Sequence, residues 1–173
     1  MNQIDVRRVL PNEAKRLQHI GRLTFSETFA AVNTEENMKK YLDEGFAFSK
    51  LKDELNQKNS EFYFAELGNK LIGYSKINVG QAQTEIRDEK ALEIERIYVL
   101  REFHGKNVGK ILLEKAIEQA IERKLDYTWL GVWEENPRAI RFYEKNGFRP
   151  FDKHIFTLGD DKQTDVLLKR MLK

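Results

Sequence analysis

The chain has 173 residues, of which 40% are hydrophobic, 11% aromatic and 34% charged, a mix and length that suit one globular domain and argue against disorder. Its 30 Lys and Arg against 28 Asp and Glu leave a formal net charge of +2, which gives no general pull toward nucleic acid or an anionic membrane. The absence of cysteine excludes a disulfide framework, a thiolate zinc site, an iron–sulfur cluster and a Cys nucleophile, and the scattered His19, His104 and His154 make no metal centre expected. The N-terminal stretch lacks the apolar core of a signal peptide, and no apolar run nears the roughly 18 residues of a membrane span. A cytoplasmic protein with no membrane partner is the expectation.

In chain order, Ile4 to Val9 reads as a short strand. Pro11-Asn12-Glu13 then opens a helix, which Leu17, Ile20, Leu23, Phe25 and Phe29 continue at three-four spacing. Asn33-Thr34-Glu35-Glu36 starts a second helix, and Ser49 to Asn56 forms a third. Glu61 to Leu67 and Leu71 to Val79 read as a hairpin around Gly68-Asn69-Lys70. Gly80 to Lys90 is a polar, acidic connection, and Ala91 to Val99 is the next strand. A glycine-bearing loop and a helix running to about Arg123 follow it. Tyr127 to Trp133 is a strand, Asn136-Pro137-Arg138 starts a helix that Asn146-Gly147 stops, and Phe148 to Leu158 and Thr164 to Leu172 close the chain as strands. No repeat or linker interrupts residues 1–173, so a single domain is expected. The strand–helix–strand unit near residues 91–133 implies a parallel pair, and the hairpins imply antiparallel pairs. The predicted fold is α/β, a central mixed β-sheet with helices on both faces.

The stretch from Ile97 through His104-Gly105-Lys106-Asn107-Val108-Gly109-Lys110 carries the strongest chemical signal. Main-chain N–H groups at a helix start lack intrahelical partners and sit at the positive end of the dipole, so they can cradle a diphosphate. Glycine permits close approach, and Lys106 and Lys110 add charge. The loop is neither Gly-x-x-x-x-Gly-Lys-[Ser/Thr] nor Gly-x-Gly-x-x-Gly. By spacing alone an ordinary strand-to-helix turn remains open.

With Asn136 to Phe148, which reads Asn-x-x-Ala-x-x-Phe-Tyr-x-x-x-Gly-Phe, this stretch resembles the GNAT acyltransferase superfamily. His104 stands where that family's loop has Arg or Gln, and Asn107 where it has its first glycine. Asn is the residue after glycine that best tolerates a left-handed backbone. Glu27-Thr28-Phe29, Glu36-Asn37-Met38, Leu92 to Tyr98, Trp129 to Glu134 and Gly159-Asp160 with Gln163-Thr164-Asp165 are similar to the bacterial PaiA-type spermidine/spermine N-acetyltransferases. The resemblance implies acetyl-CoA as co-substrate. It places the main chain of Ile97, Tyr98 and Val99 on the pantetheine arm, the loop from His104 to Lys110 on the diphosphate, and Asn136 on the pantetheine. Asn136 is equally readable as a helix cap.

Acetyl transfer to an amine needs a neutral nucleophile, a stabilised oxyanion and a protonated leaving thiolate. The resemblance puts Tyr143 beside the sulfur as the proton donor, and a core tyrosine is the alternative. Glu93 and Glu95 lie two apart on one strand, hence on one face unless a bulge intervenes. By family position the resemblance makes Glu93 the preferred base, with Glu95 second, and both are readable as anchors for a cationic amine. Glu27, Glu85, Asp88, Glu89, Asp160, Asp161 and Asp165 are candidates for an acidic groove, and Trp129 and Trp133 for core packing.

The expected activity is N-acetyl transfer from acetyl-CoA to a small-molecule amine, best a polyamine. Acetylation of a protein N-terminus or other small amine is the alternative, and a CoA-sensing regulatory module a further one. A nucleic-acid partner is not expected, because acids interleave with Lys39-Lys40 and Lys50-Lys52. Pairing of two copies stays open.

Overall fold

Two apolar layers, one on each side of a sheet, organise the chain in the computed structural model, which describes residues 3–173. Strand β1 spans Ile4–Arg8, and helices α1 (Ala14–Phe29), α2 (Glu35–Gly45) and α3 (Phe48–Asn56) follow it. Strands β2 (Ser60–Leu67) and β3 (Lys70–Val79) form the expected hairpin, with Gly68 at φ 61 in its turn. Then come β4 (Ala91–Val99), α4 (Val108–Glu122), β5 (Tyr127–Trp133), α5 (Pro137–Lys145), β6 (Arg149–Leu158) and β7 (Asp161–Met171). The last turn is shorter than its sequence suggests, because β7 begins at Asp161 instead of Thr164. Among the described residues, no helix is long and apolar enough to cross a membrane.

The strands form a seven-stranded sheet in the order β1-β2-β3-β4-β5-β7-β6, mixed as expected, with β4 and β5 parallel and each other neighbouring pair antiparallel. Leu17, Ile20 and Phe25 of α1 and Leu51 of α3 pack on one face with Phe62 and Tyr74. Leu113 and Ala116 of α4 and Tyr143 of α5 pack on the other with Leu92, Ile94 and Leu130. Burying such side chains at about 1.5–3 kcal/mol each is the main force holding both layers to the sheet.

Two features of β4 shape the site. Its parallel pairing with β5 covers only Ala91–Tyr127, Leu92–Thr128 and Glu93–Trp129, so the strands part beyond Glu93 and Trp129 and leave a gap. A bulge also falls at Glu95, since Lys76 faces Arg96 while Ile77 faces Ile94. The extra residue keeps Ile97 and Val99 toward α4 and puts Glu95, Arg96 and Tyr98 on the α1 side. Glu93 and Glu95 therefore share a face, both held by Asn78.

Candidate active site

The site is assembled where β5 leaves β4. In an antiparallel pair, successive residues turn their main chain alternately toward and away from the partner. Leu100 donates its N–H to the Ile72 carbonyl of β3 at 2.9 Å, so Val99, one residue back, turns its carbonyl into the gap. By the same alternation Ile97 presents its main chain there, and Tyr98 turns its own to Tyr74 on β3. Of the three residues expected there, Ile97 and Val99 turn their main chain to the gap, whereas Tyr98 pairs with β3 and packs its ring with Tyr74 and Phe25.

At the end of β4 the chain turns through Gly105, at φ 78, and Asn107, at φ 66 and ψ 8, before α4 begins at Val108. Asn107 thus adopts the left-handed conformation a glycine takes at little cost. The first-turn amides of Val108, Gly109 and Lys110 have no intrahelical acceptor. A Cβ on Gly105 would meet nothing within 4 Å, and one on Gly109 would meet only Phe142, at 3.7 Å. Open space over a run of free amides, with the side chains of Lys106 and Lys110 nearby in sequence, fits a diphosphate. Lys106 packs its ammonium over Phe103, 5.3 Å from the ring centroid. At the start of the loop, His104 is bonded at both ring nitrogens: Nε2 to the Val99 carbonyl at 2.8 Å and Nδ1 to Arg138 Nη1 at 2.8 Å. Arg138, on the first turn of α5, was not singled out in the sequence.

Asn136 caps α5, its Oδ1 accepting from the Ala139 amide at 3.2 Å, with Pro137 following as first helical residue. The cap uses the carbonyl oxygen and leaves the amide nitrogen for another partner. Three residues past that contact the same helix carries Phe142 and Tyr143. The Tyr143 ring packs edge-on against Phe142 and Phe148, at centroid distances of 5.1 and 5.7 Å. Among the described residues its hydroxyl has no hydrogen-bond partner, and burial pushes its pKa well above the ordinary tyrosine value. It stays protonated, as a proton donor must. Tyr98, on the opposite side of the sheet, is pushed up in pKa chiefly by burial, with Tyr143 among the neighbouring phenols that add to it.

The acids of β4 divide by environment. Glu93 is 3% exposed, and its carboxylate accepts from Asn78 Nδ2 at 2.9 Å, the Thr84 amide at 2.8 Å and the Thr84 hydroxyl. Burial raises its pKa against these donors. Burial also pushes Glu95 upward, but Arg96 and Lys76 outweigh it and hold the carboxyl at about 2. Lys76 Nζ lies 3.0 Å from Glu95 and 3.2 Å from Glu54. Asn78 is itself fixed by Ser60, whose hydroxyl donates to Oδ1 at 2.7 Å.

Across the gap, β5 carries Gly131, exposed, two residues past the last pair with β4. Leu167 and Asp165 of β7 fill the space a side chain there would take, Leu167 Cδ2 lying 3.2 Å and Asp165 Oδ2 3.4 Å from the position of a Gly131 Cβ. His154 of β6 reaches the same carboxylate at 3.5 Å through Nε2 and contacts Glu85 through Nδ1. Burial raises the Asp165 pKa, and His154 opposes that rise. Burial raises the Tyr41 pKa, with Arg96, Glu95, Glu54 and Asp165 as its charged neighbours. Phe29 with Trp133 (5.5 Å) and Tyr41 with Phe156 (6.0 Å) add aromatic walls.

Of the acids expected to form a groove, the fold brings Glu85 and Asp165 together. Glu27 instead accepts from the Arg101 amide at 3.0 Å, Asp88 from Tyr127 at 2.9 Å, and Asp160 lies 3.7 Å from Lys40. Trp129 is core, as expected, its indole N–H donating to Gln83 at 2.7 Å. A groove of about 930 Å³ opens elsewhere, between α1 and the end of β4, lined by His19, Leu23, Glu27, Leu71 and Arg101. Tyr143 does not line it.

Residues 23–148 match the acetyltransferase (GNAT) family pattern. An uncharacterized N-acetyltransferase of Lactobacillus delbrueckii subsp. lactis is 43% identical over 153 residues, covering 88% of each chain. Spermidine N(1)-acetyltransferase of Thermoplasma acidophilum is 25% identical over 153 residues, covering 86% of this chain and 90% of its own. The crystal structure of PaiA N-acetyltransferase from Thermoplasma acidophilum, solved in complex with coenzyme A, superposes with a TM-score of 0.81 at 22% identity, over 98% of this chain and 99% of that one. The parted strands, the free amides of the loop and these matches lead to one assignment: the chain belongs to the acetyltransferase (GNAT) family, enzymes that take their acetyl group from acetyl-CoA.

Proposed function

We propose that this N-acetyltransferase acts on a polyamine of the spermidine or spermine type in the cytoplasm. One observation carries the reading: both strands that part carry an acid just past their last pair, Glu95 on β4 and, beside Gly131 of β5, Asp165 of β7. Glu95 is held ionised by Arg96 and Lys76. Asp165 is backed by Glu85 through His154. A chain with several cations a few ångströms apart can engage both acids at once, and a monoamine only one. Aromatic walls at Trp133, Tyr41 and Phe156 suit the methylene stretches between the cations and offer π faces to the ammonium groups. The similarity to a spermidine N(1)-acetyltransferase supports the same choice.

Acetyl-CoA supplies the activated thioester. The loop amides from Gly105 to Lys110 would hold its diphosphate, and the Ile97 and Val99 main chain with the Asn136 amide its pantetheine arm. Tyr143 would give the departing thiolate its proton. Glu93 has the raised pKa that suits a base. Three donors already fill most of its acceptor sites, and Oε2, which accepts only from the Thr84 hydroxyl, keeps the one site a water relay could use. In this reading Glu93 chiefly holds Asn78 and the Thr84 segment in place beside Glu95.

The test is a thiol-release assay with acetyl-CoA across spermine, spermidine and simple monoamines. Polyamines should show the higher kcat/KM, and added salt should raise their KM by screening the carboxylates. Equal efficiency on spermine and a monoamine, with no salt effect, would leave the family assignment standing and remove the polyamine.

A further inference from the structure

The contact chain Arg138–His104–Val99 joins the first turn of α5 to the main chain of β4. His104 is exposed, follows the short turn after β4, and yet is bonded at both ring nitrogens. Arg138 can only donate, so Nδ1 accepts. Nε2 then carries the proton and donates to the Val99 carbonyl, which fixes a neutral ring in one tautomer, as inferred from the hydrogen-bond pattern. Val99 is one of the two β4 residues whose main chain faces the gap, and the histidine closes its carbonyl off at the mouth. A guanidinium that spends one donor on an imidazole is poorly matched. Its fork suits the paired oxygens of a carboxylate or phosphate, and charge-assisted bonds to such groups are roughly twice as strong as neutral ones. Arg138 is exposed, on the first turn of α5, and His104 ties it to the start of the diphosphate loop.

We propose that His104 is a placeholder in the cofactor channel, occupying the Val99 carbonyl and parking Arg138, and that CoA displaces it, so that Arg138 becomes a ligand of the diphosphate. The inference rests on the acetyl-CoA reading of the gap. Both ends of the exchange improve the match of partners. The Val99 carbonyl passes from an imidazole N–H to an amide N–H of the pantetheine arm, and Arg138 passes from a neutral nitrogen to an anion. Because the bonds given up are exposed, they cost little to break. Loss of the family's Arg or Gln at the loop's first position is then made good by a cation from the next helix.

Two readouts separate this proposal from the cofactor assignment beneath it. Calorimetry of CoA binding to the unaltered protein tests the assignment, and no binding would overturn both. Long-range ¹⁵N–¹H spectra of the histidine rings, with His104 identified by its absence in His104→Gln, test the exchange without depending on any variant's activity. Saturating CoA should move the His104 nitrogens away from the pattern of an Nε2–H ring with an acceptor Nδ1. Arg138→Gln should weaken CoA about tenfold and pantetheine, which has no phosphate, less than twofold. His104→Ala should tighten pantetheine about threefold by freeing the Val99 carbonyl. His104 signals unchanged at CoA saturation, or an Arg138→Gln variant that binds CoA within twofold of the original, would overturn the proposal.

Discussion

Replacing Tyr143 by phenylalanine separates a chemical role from a packing role. The ring keeps its edge-on contacts with Phe142 and Phe148. The deleted hydroxyl has no partner among the described residues, whereas a bonded one would be worth about 1 kcal/mol, so the melting temperature should hardly move. Turnover should behave differently. A positioned proton donor contributes about 10²–10⁴-fold, or about 2.7–5.4 kcal/mol of barrier, and water is a poor replacement in a site this buried. The raised pKa also sets a shape. A phenol of ordinary pKa would lose its proton near pH 10, so the rate would fall there. Tyr143 keeps its proton past that point, and the rate should go on rising as the acceptor amine becomes neutral. The assay is thiol release from acetyl-CoA with spermidine at saturating donor, followed from pH 7 to 10, with CoA affinity measured by calorimetry. A Tyr143→Phe enzyme within about twofold of the original rate would show that the phenol is core and that another group protonates the thiolate.

Asp165→Asn should raise the KM for spermidine severalfold and leave CoA affinity unchanged, because Asp165 stands on the acceptor side above Gly131; steady-state kinetics on both substrates decides it. Gly109→Asp should fold, since a Cβ there meets only Phe142 at 3.7 Å, and should weaken CoA about tenfold or more by placing a carboxylate among the first-turn amides of α4; calorimetry beside a melting curve tests both halves. Acid should destabilise the fold through Glu95. Its folded pKa of about 2 lies below the ordinary 4.5, so its contribution is full above pH 4.5 and is lost as pH falls toward 2. Glu95→Gln should flatten that part of a denaturation-versus-pH curve.

The sequence carried the element order well, because Gly, Pro or Asn marks the switches between period two and period three-to-four, except from α4 to β5, where Lys124 takes the turn at φ 58. Asn107 is an instructive success: a residue out of the family pattern, placed in the conformation that made it tolerable. Two things escaped. The facing of β4 main-chain groups depends on which neighbour each amide bonds, and nothing in Ile97-Tyr98-Val99 says that Tyr98 turns to β3. The acids were recognisable only as a list. Glu85 and Asp165 meet through His154 because β6 sets His154 opposite Asp165 of β7, while Glu27 and Asp88 are claimed by Arg101 and Tyr127. Arg138 offered a partial signal, as the cation nearest the cap of α5 in a chain whose loop has His104 where the family has Arg or Gln.

The short seam between β4 and β5 has a mechanical meaning. A sheet whose two portions share only the rungs at Ala91, Leu92 and Glu93 is closer to two stiff plates on a hinge than to one continuous slab. Whatever fills the opening braces one plate against the other, as a wedge driven into a split stiffens the timber. Donor affinity and the rigidity of the molecule's centre are then a single property. Substitutions that loosen the hinge, even far from the loop, would be felt first as a change in how firmly the donor is gripped.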